Sequence, residues 1–146
     1  MSPRAAWRLE TLGFTDAADY SGGKMDWLAY GLPFEGTADL VAGHLDEVLT
    51  CGLDERVADV AARLGDAGGC VVTMDDGVVF GVLDAHALAH HGDLQAGEVA
   101  TFGPTTVRPS EERTHLDERM RKRGVEEMLV TDPDGRLLGA YAPSSD

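Results

Sequence analysis

The chain of 146 residues has few basic residues, two cysteines and no long apolar run. Its 12 Lys and Arg are outnumbered by 26 Asp and Glu, which gives a formal net charge of -14. A nucleic-acid surface needs a concentrated positive field, so this composition argues against a nucleic-acid partner. The one locally basic stretch, 119–123, is flanked by Glu118, Glu126 and Glu127. This flanking indicates a solvated helix end rather than an anion-binding surface.

The apolar runs are also too short for a membrane protein. None approaches the roughly 20 residues that cross a bilayer, and the N-terminus lacks the apolar centre of a signal peptide. Cys51 and Cys70 fall in strand-like apolar runs, at a spacing that matches neither a zinc site nor a redox CxxC pair. We therefore expect two buried thiols in a reducing compartment, and a cytoplasmic protein with no membrane partner.

What the chain does contain is a duplication. Residues 50–83 and 106–141 each offer a short apolar strand, a helix and a hairpin, with an offset of 56 residues through the helix and 58 after it. The hairpin strands flank Asp76-Gly77 in the first copy and Asp134-Gly135 in the second, residue types that tolerate positive φ in a tight turn. A second helix over 85–91 follows the first copy.

The helix of each copy differs in its predicted buried face. In the first copy Asp54 is placed to cap the helix, and an apolar stripe follows at Val57, Val60, Ala61 and Leu64. In the second, Pro109-Ser110 mark the start, and Arg113 stands where the first copy has Val57. This helix should therefore show a charged face, with Asp117–Arg121 and Glu118–Lys122 pairs each contributing a few tenths of a kcal/mol.

An N-terminal preface precedes the copies. Helices are predicted over 3–12 and 25–30, with a short strand over 17–20 between them. Residues 34–48 have the composition of a linker, in which 40–48 could hold a short helix. We expect Trp7, Trp27 and Phe34 to pack the preface onto the repeats or onto a partner subunit.

The preface resembles the C-terminal part of a rhodanese domain. The residues that carry the resemblance are Ser2 through Phe14, Asp19-Tyr20, Gly22-Gly23-Lys24, Trp27 and Gly31-Leu32-Pro33. In that family a cysteine nucleophile precedes the first of these helices, where the helix dipole lowers its pKa. Neither Cys51 nor Cys70 stands there, so the resemblance implies packing rather than sulfur transfer.

The duplicated part resembles a tandem pair of CBS domains, on its element order, its Asp-Gly hairpins and the glycines Gly68, Gly124, Gly81 and Gly139. The implied fold class is α/β (α+β), with two pseudo-symmetric β-α-β-β-α repeats packed together behind an N-terminal helix-strand-helix extension. The corresponding boundaries are 1–35 for the extension, 36–47 for the linker, 48–92 for repeat 1 and 93–146 for repeat 2, whose terminal helix is truncated.

The resemblance implies a non-catalytic regulatory module that forms a homodimer. CBS pairs often bind AMP, ATP or S-adenosylmethionine in clefts between the repeats, where strand backbones contact the adenine and an Asp binds the ribose. The cleft candidates that follow from this are Val48, Thr50, Asp84, Thr106, Arg108, Arg123 and Met128, with the two arginines as phosphate partners. Each also has a plain structural interpretation, in which the threonines open strands and the arginines are solvated.

The chain departs from the family pattern after each hairpin. At the positions of the family's Thr/Ser-x-x-Asp element, the first repeat has Asp84-Ala85-His86-Ala87 and the second has Ala142-Pro143-Ser144-Ser145. An acid at Asp84 would repel phosphate. His86 and His90 have the spacing of a two-histidine metal site, but a polar helix face is favoured and we predict no metal.

Two functions of different classes stay open. The first is a regulatory module that senses an adenosine-containing ligand and acts on a protein partner. The second is a scaffold that has lost its ligand and retains dimerisation. A sulfurtransferase remnant is a distant third.

Overall fold

The computed structural model describes residues 3–17, 20–33, 35, 39–65 and 68–143. The extension contains α1 (Pro3–Thr11) and α2 (Gly23–Ala29), and a short 3-10 helix follows at Val41–Gly43. The first repeat contains β1 (Thr50–Gly52), α3 (Val57–Leu64), β2 (Gly69–Thr73), β3 (Val79–Asp84) and α4 (Ala85–His90). The segment ahead of β5 contains α5 (Ala96–Val99) and β4 (Thr101–Phe102), which pairs with β3. The second repeat contains β5 (Thr106–Val107), α6 (Arg113–Arg123), β6 (Met128–Thr131) and β7 (Leu137–Tyr141). Within these ranges no helix is long and apolar enough to cross a membrane.

The duplication predicted from the sequence is confirmed in the backbone. One sheet has the order β1-β2-β3-β4 and the other β5-β6-β7, and in each the first strand is parallel to the second. Thr50 pairs with Val71 as Thr106 pairs with Leu129. Both hairpins also change register at the same place, after Val72 and after Val130. The fold is mixed α+β, as the sequence indicated.

The two hairpins contact each other through their backbones. Val79 N donates to Gly135 O and Leu137 N to Gly77 O, each at 3.0 Å. Because 77 and 79 correspond to 135 and 137 at the offset of 58, these two hydrogen bonds are related by a pseudo-two-fold axis. Gly77 and Gly135 have φ of +80° and +85°, the left-handed conformation expected at the Asp-Gly turns.

The faces of the two sheets share a small apolar core around this axis. Its buried members are Val71, Leu129 and Ala140, with Val48, Val79, Val82 and Leu137 packed against them. Each repeat also has a core of its own, on which its helices pack. The repeats are therefore joined by apolar burial as well as by hydrogen bonds.

The segment predicted as a linker packs on the second repeat. Val41 is fully buried in that repeat's core, its N–H donates to Glu111 O at 3.0 Å, and Asp46 exchanges two backbone hydrogen bonds with Ala140. The matching segment ahead of the second repeat does the same on the first repeat, where Ala96 N donates to Glu55 O at 2.8 Å. Each repeat is thus completed by the segment that precedes the other one.

This exchange explains why the helix starts were predicted wrongly. α3 begins at Val57 and α6 at Arg113, and neither helix has a side-chain N-cap. The loop before α3 uses its carbonyls, at Leu53 and Glu55, to accept from the segment 96–97. Since tertiary hydrogen bonds fix this loop, Asp54 does not cap the helix.

α6 carries the charged face that the sequence predicted, with different partners in part. Glu118 pairs with Lys122 at 3.6 Å, as expected. Asp117 instead accepts from the hydroxyl of Tyr141 at 2.7 Å; burial, followed by this hydrogen bond, raises the pKa of Tyr141 to about 12. Arg113 Nη1 lies 2.7 Å from His44 Nε2. The helix therefore buries Leu116 and Met120 and uses its polar side to hold β7 and the segment around Val41.

The preface contains both predicted helices. Ala17 and Tyr20 are not in a strand, and residues 18, 19 and 34 lie outside the described part. Trp27 donates to Pro33 O at 3.0 Å and packs edge-on against Tyr20. Trp7 is 66% exposed, so it does not pack on the repeats of its own chain. The alternative, that it packs on a partner subunit, stays a prediction.

The burial of Val41 leads to a stability prediction. Replacing Val41 by Ala removes two buried methyl groups, and we expect this to lower the free energy of unfolding by about 1–3 kcal/mol. Leu49→Ala is the control, because Leu49 is half exposed. Urea denaturation of both variants provides the measurement, and a Val41→Ala protein as stable as the wild type would show that the segment is a passive linker.

Candidate functional site

A cleft of about 760 Å³ lies between the two repeats. Equivalent positions of both repeats line it: Val48 with Pro104, Cys70 with Met128, and Val71 with Leu129. We call it the inter-repeat cleft. Its mostly apolar lining and its size suit a small organic molecule, since ligand sites are concave and mostly apolar with a few polar groups.

Asp84 places a carboxylate at one side of the cleft. Its Oδ1 accepts from Ala87 N at 2.8 Å, so the side chain caps α4. The acid found where the family pattern has a hydroxyl therefore does the structural work that a Ser or Thr would do at an N-cap. It also adds a negative charge that faces whatever occupies the cleft.

Two arginines of α6 provide the positive charge in the cleft lining. Arg119 and Arg123, one turn apart, both line it. Arg119 is paired with Glu111, with its Nη1 2.5 Å from Oε1. In the described part of the chain Arg123 has no hydrogen-bond or ion-pair partner, and its side chain is exposed. Arg123 is therefore the cation of the cleft that is available to an anionic group.

Four of the seven residues predicted for the cleft line it together: Val48, Asp84, Arg123 and Met128. Thr50 lies in β1 with its carbonyl accepting from Arg63 Nη2 at 3.0 Å, and it does not line the cleft. Thr106 and Arg108 line a separate groove of about 300 Å³. Arg108 Nη1 donates to the carbonyl and hydroxyl of Thr131 and to Asp132 O. Its guanidinium therefore already has partners within the chain, unlike a guanidinium that is free to bind a phosphate.

Sequence reasoning missed other residues of the cleft, although two had a signal. Cys70 is the repeat equivalent of the predicted Met128, and Arg119 precedes the predicted Arg123 by one helical turn. Pro104 and Thr105 come from the segment between the repeats, where no periodic pattern marks the cleft wall.

His86, His90 and His91 lie together at α4 and its C-terminal end. The rings of His86 and His90 stack with centroids 4.4 Å apart, and His91 meets His86 edge-on at 5.9 Å. Across the described ranges, no group of three or more His, Cys, Asp or Glu side chains is placed to hold a metal ion. Nδ1 of His90 lies 3.0 Å from the backbone oxygen of His86, within hydrogen-bond distance.

Solved structures share this architecture. The chain is similar to the cytosolic domain of the Mg2+ channel MgtE in complex with ATP (TM-score 0.64, 19% identity). The match covers 71% of this chain and 46% of that one. It is also similar to CBSX2 in complex with AMP (0.61, 19%), covering 70% and 89%, and to a CBS domain pair/ACT domain protein from Thermotoga maritima (0.59, 18%), covering 70% and 88%. The chain thus spans less than half of the MgtE domain.

No family model and no curated protein sequence matches the chain. At these identities the structural likeness establishes the fold, which is that of a CBS domain pair. The resemblance of the preface to a rhodanese domain stays a prediction.

The capping role of Asp84 is directly testable. Asp84→Ala removes the acceptor for Ala87 N and should lower the free energy of unfolding by about 1 kcal/mol. Asp84→Ser retains an N-cap oxygen and should cost less than half as much. Urea titrations of the two variants decide this, and equal stabilities would contradict the capping role.

Proposed function

We propose that this chain is a non-catalytic regulatory module whose inter-repeat cleft binds an adenosine-containing ligand. The observation that carries the proposal is the cleft itself, because both repeats line it at equivalent positions. A ligand there touches both repeats at once and is therefore able to bias their relation. The structures in complex with AMP and with ATP support the choice of ligand class.

The charges of this cleft favour a ligand with few phosphates. Arg123 is the free cation, Arg119 is neutralised by Glu111, and Asp84 and Glu127 add negative charge to the lining. A monophosphate satisfies one arginine, whereas further phosphates would face the carboxylates. S-adenosylmethionine, whose sulfonium is positive, is compatible with the acidic side and belongs to the same proposal.

A thermal-shift panel tests the proposal. Millimolar AMP, ATP, S-adenosylmethionine or adenosine should raise the Tm by several degrees, because a ligand present at about 100 times its Kd stabilises the folded state by about 2.7 kcal/mol. Inorganic tripolyphosphate is the control for non-specific anion binding. The proposal fails if all four adenosine compounds leave the Tm unchanged at saturating concentration.

The role of Arg123 predicts a selective loss. Arg123→Gln should weaken AMP binding about three- to tenfold while leaving adenosine unaffected, because only the phosphate meets the guanidinium. Arg121→Gln is the matched control, since Arg121 lies in the same last turn of α6 and does not line the cleft. Isothermal titration calorimetry gives both affinities, and an equal loss in the two variants would assign the effect to net charge alone.

A ligand-free scaffold is the second candidate, and one observation favours it. The preface exposes four large apolar side chains within about twenty residues of sequence, namely Trp7, Leu12, Phe14 and Met25, and exposed apolar surface of this kind is buried where proteins associate. Light scattering after size exclusion at micromolar concentration distinguishes the outcomes, because a monomer contradicts the scaffold and leaves the ligand proposal intact. The homodimer, the regulated partner and the cytoplasmic location stay predictions.

A further inference from the structure

The two cysteines of the chain are in contact. Cys51 in β1 and Cys70 in β2 are both free and buried, and their sulfurs are 3.4 Å apart. Cys51 pairs with Val72 across the parallel strands, and Cys70 stands two residues before Val72 on the same face. The thiols therefore reach each other diagonally from neighbouring strands within the core of the first repeat.

Only one of the two cysteines borders the inter-repeat cleft. Cys70 lines the cleft and Cys51 does not. The pKa of Cys70 is lowered, mainly by its hydrogen bond with Cys51. The positive charge of Arg63 also lowers this pKa, whereas burial raises it. Arg63 is held beside β1 by the carbonyl of Thr50 and by Glu55. Both residues are buried, Cys51 at 3% and Cys70 at 5% exposed, and Cys70 is the one that borders the cleft and whose thiolate is favoured.

We propose that Cys70 is an oxidation site reached through the inter-repeat cleft, and that Cys51 is its resolving thiol. The oxidant is a small hydroperoxide. The Cys70 thiolate attacks the terminal peroxide oxygen, the O–O bond breaks, and the alcohol or water leaves after taking up a proton, so that Cys70 becomes a sulfenic acid. The Cys51 sulfur then displaces the sulfenic oxygen as water and forms a disulfide.

The second repeat provides an internal contrast. Its equivalents of Cys51 and Cys70 are Val107 and Met128, so the reactive pair is confined to one repeat. Bond formation brings sulfurs that are 3.4 Å apart to about 2.05 Å. This draws β2, which lines the cleft with Cys70 and Val71, toward β1. Val71 also belongs to the core shared with the second repeat. Oxidation therefore changes the shape of the cleft, whatever ligand the cleft binds.

Intact-mass analysis of the reduced full-length chain treated with hydrogen peroxide tests the chemistry. We expect the loss of two hydrogen atoms, restored by dithiothreitol, in a protein that stays monomeric on a non-reducing gel. In Cys51→Ala, dimedone should trap a sulfenic acid on Cys70. In Cys70→Ala, oxidation of Cys51 should be about tenfold slower. Wild-type protein that keeps two free thiols, or a Cys70→Ala variant that oxidises at the wild-type rate, overturns the proposal.

Access through the cleft has its own test, which uses neither cysteine variant. Thr105 lines the cleft and is exposed, and Thr106, the next residue, lines the separate groove. Thr105→Trp should slow disulfide formation about threefold or more by narrowing the path to Cys70, and Thr106→Trp should not. Equal rates in the two variants contradict this route. If either variant folds poorly, peptide mapping of the wild type after brief oxidation in dimedone replaces this test. It identifies the residue that is oxidised first, which we expect to be Cys70.

Discussion

The structure depends on the backbone contact between its two hairpins. Two hydrogen bonds of 3.0 Å join Val79 to Gly135 and Leu137 to Gly77, and the shared apolar core lies beside them. Each turn uses its glycine carbonyl to accept from the other hairpin, so the Asp-Gly turns both close a hairpin and join the repeats. The inter-repeat cleft exists because this contact fixes the two sheets at one relative position.

A second constraint is the exchange of segments. Val41 completes the core of the second repeat, and Ala96, fully buried, completes that of the first. Neither repeat therefore closes its core with its own chain segment alone. This arrangement couples the repeats more strongly than the hairpin contact would by itself, because separating them exposes buried apolar surface in both cores. A change at the cleft therefore affects the packing of both repeats.

The parts predictable from sequence were those fixed by local physics. The Asp-Gly turns and the apolar strands have local signals, and the offset between copies gave the topology. The position of Val41 has no such signal, since a three-residue 3-10 helix is held by hydrogen bonds to Glu111 and Pro109 from far along the chain. The cap predicted at Asp54 was wrong for the same reason.

The candidate site shows a related limit. Val48, Asp84, Arg123 and Met128 line the cleft, where the resemblance to a CBS pair implied them. Arg108 does not, because its guanidinium donates to the carbonyls of Thr131 and Asp132 at the end of β6. Charge and position alone could not distinguish the two arginines. Only the fold shows which guanidinium already has partners.

The repeats share a backbone but differ in chemistry at equivalent positions. Where the first repeat has Gly52, the second has Arg108, whose side chain lies in the separate groove and binds Thr131 and Asp132. Where the second has Met128, the first has Cys70, and where the first has the capping Asp84, the second has Ala142. A duplicated fold would by itself give two equal clefts. These differences make the inter-repeat cleft asymmetric, with the capping carboxylate of Asp84 and Cys70 on the first repeat and the free Arg123 on the second. A ligand of the proposed kind would therefore meet different chemical groups at the two repeats, so its two possible orientations in the cleft would not be equivalent.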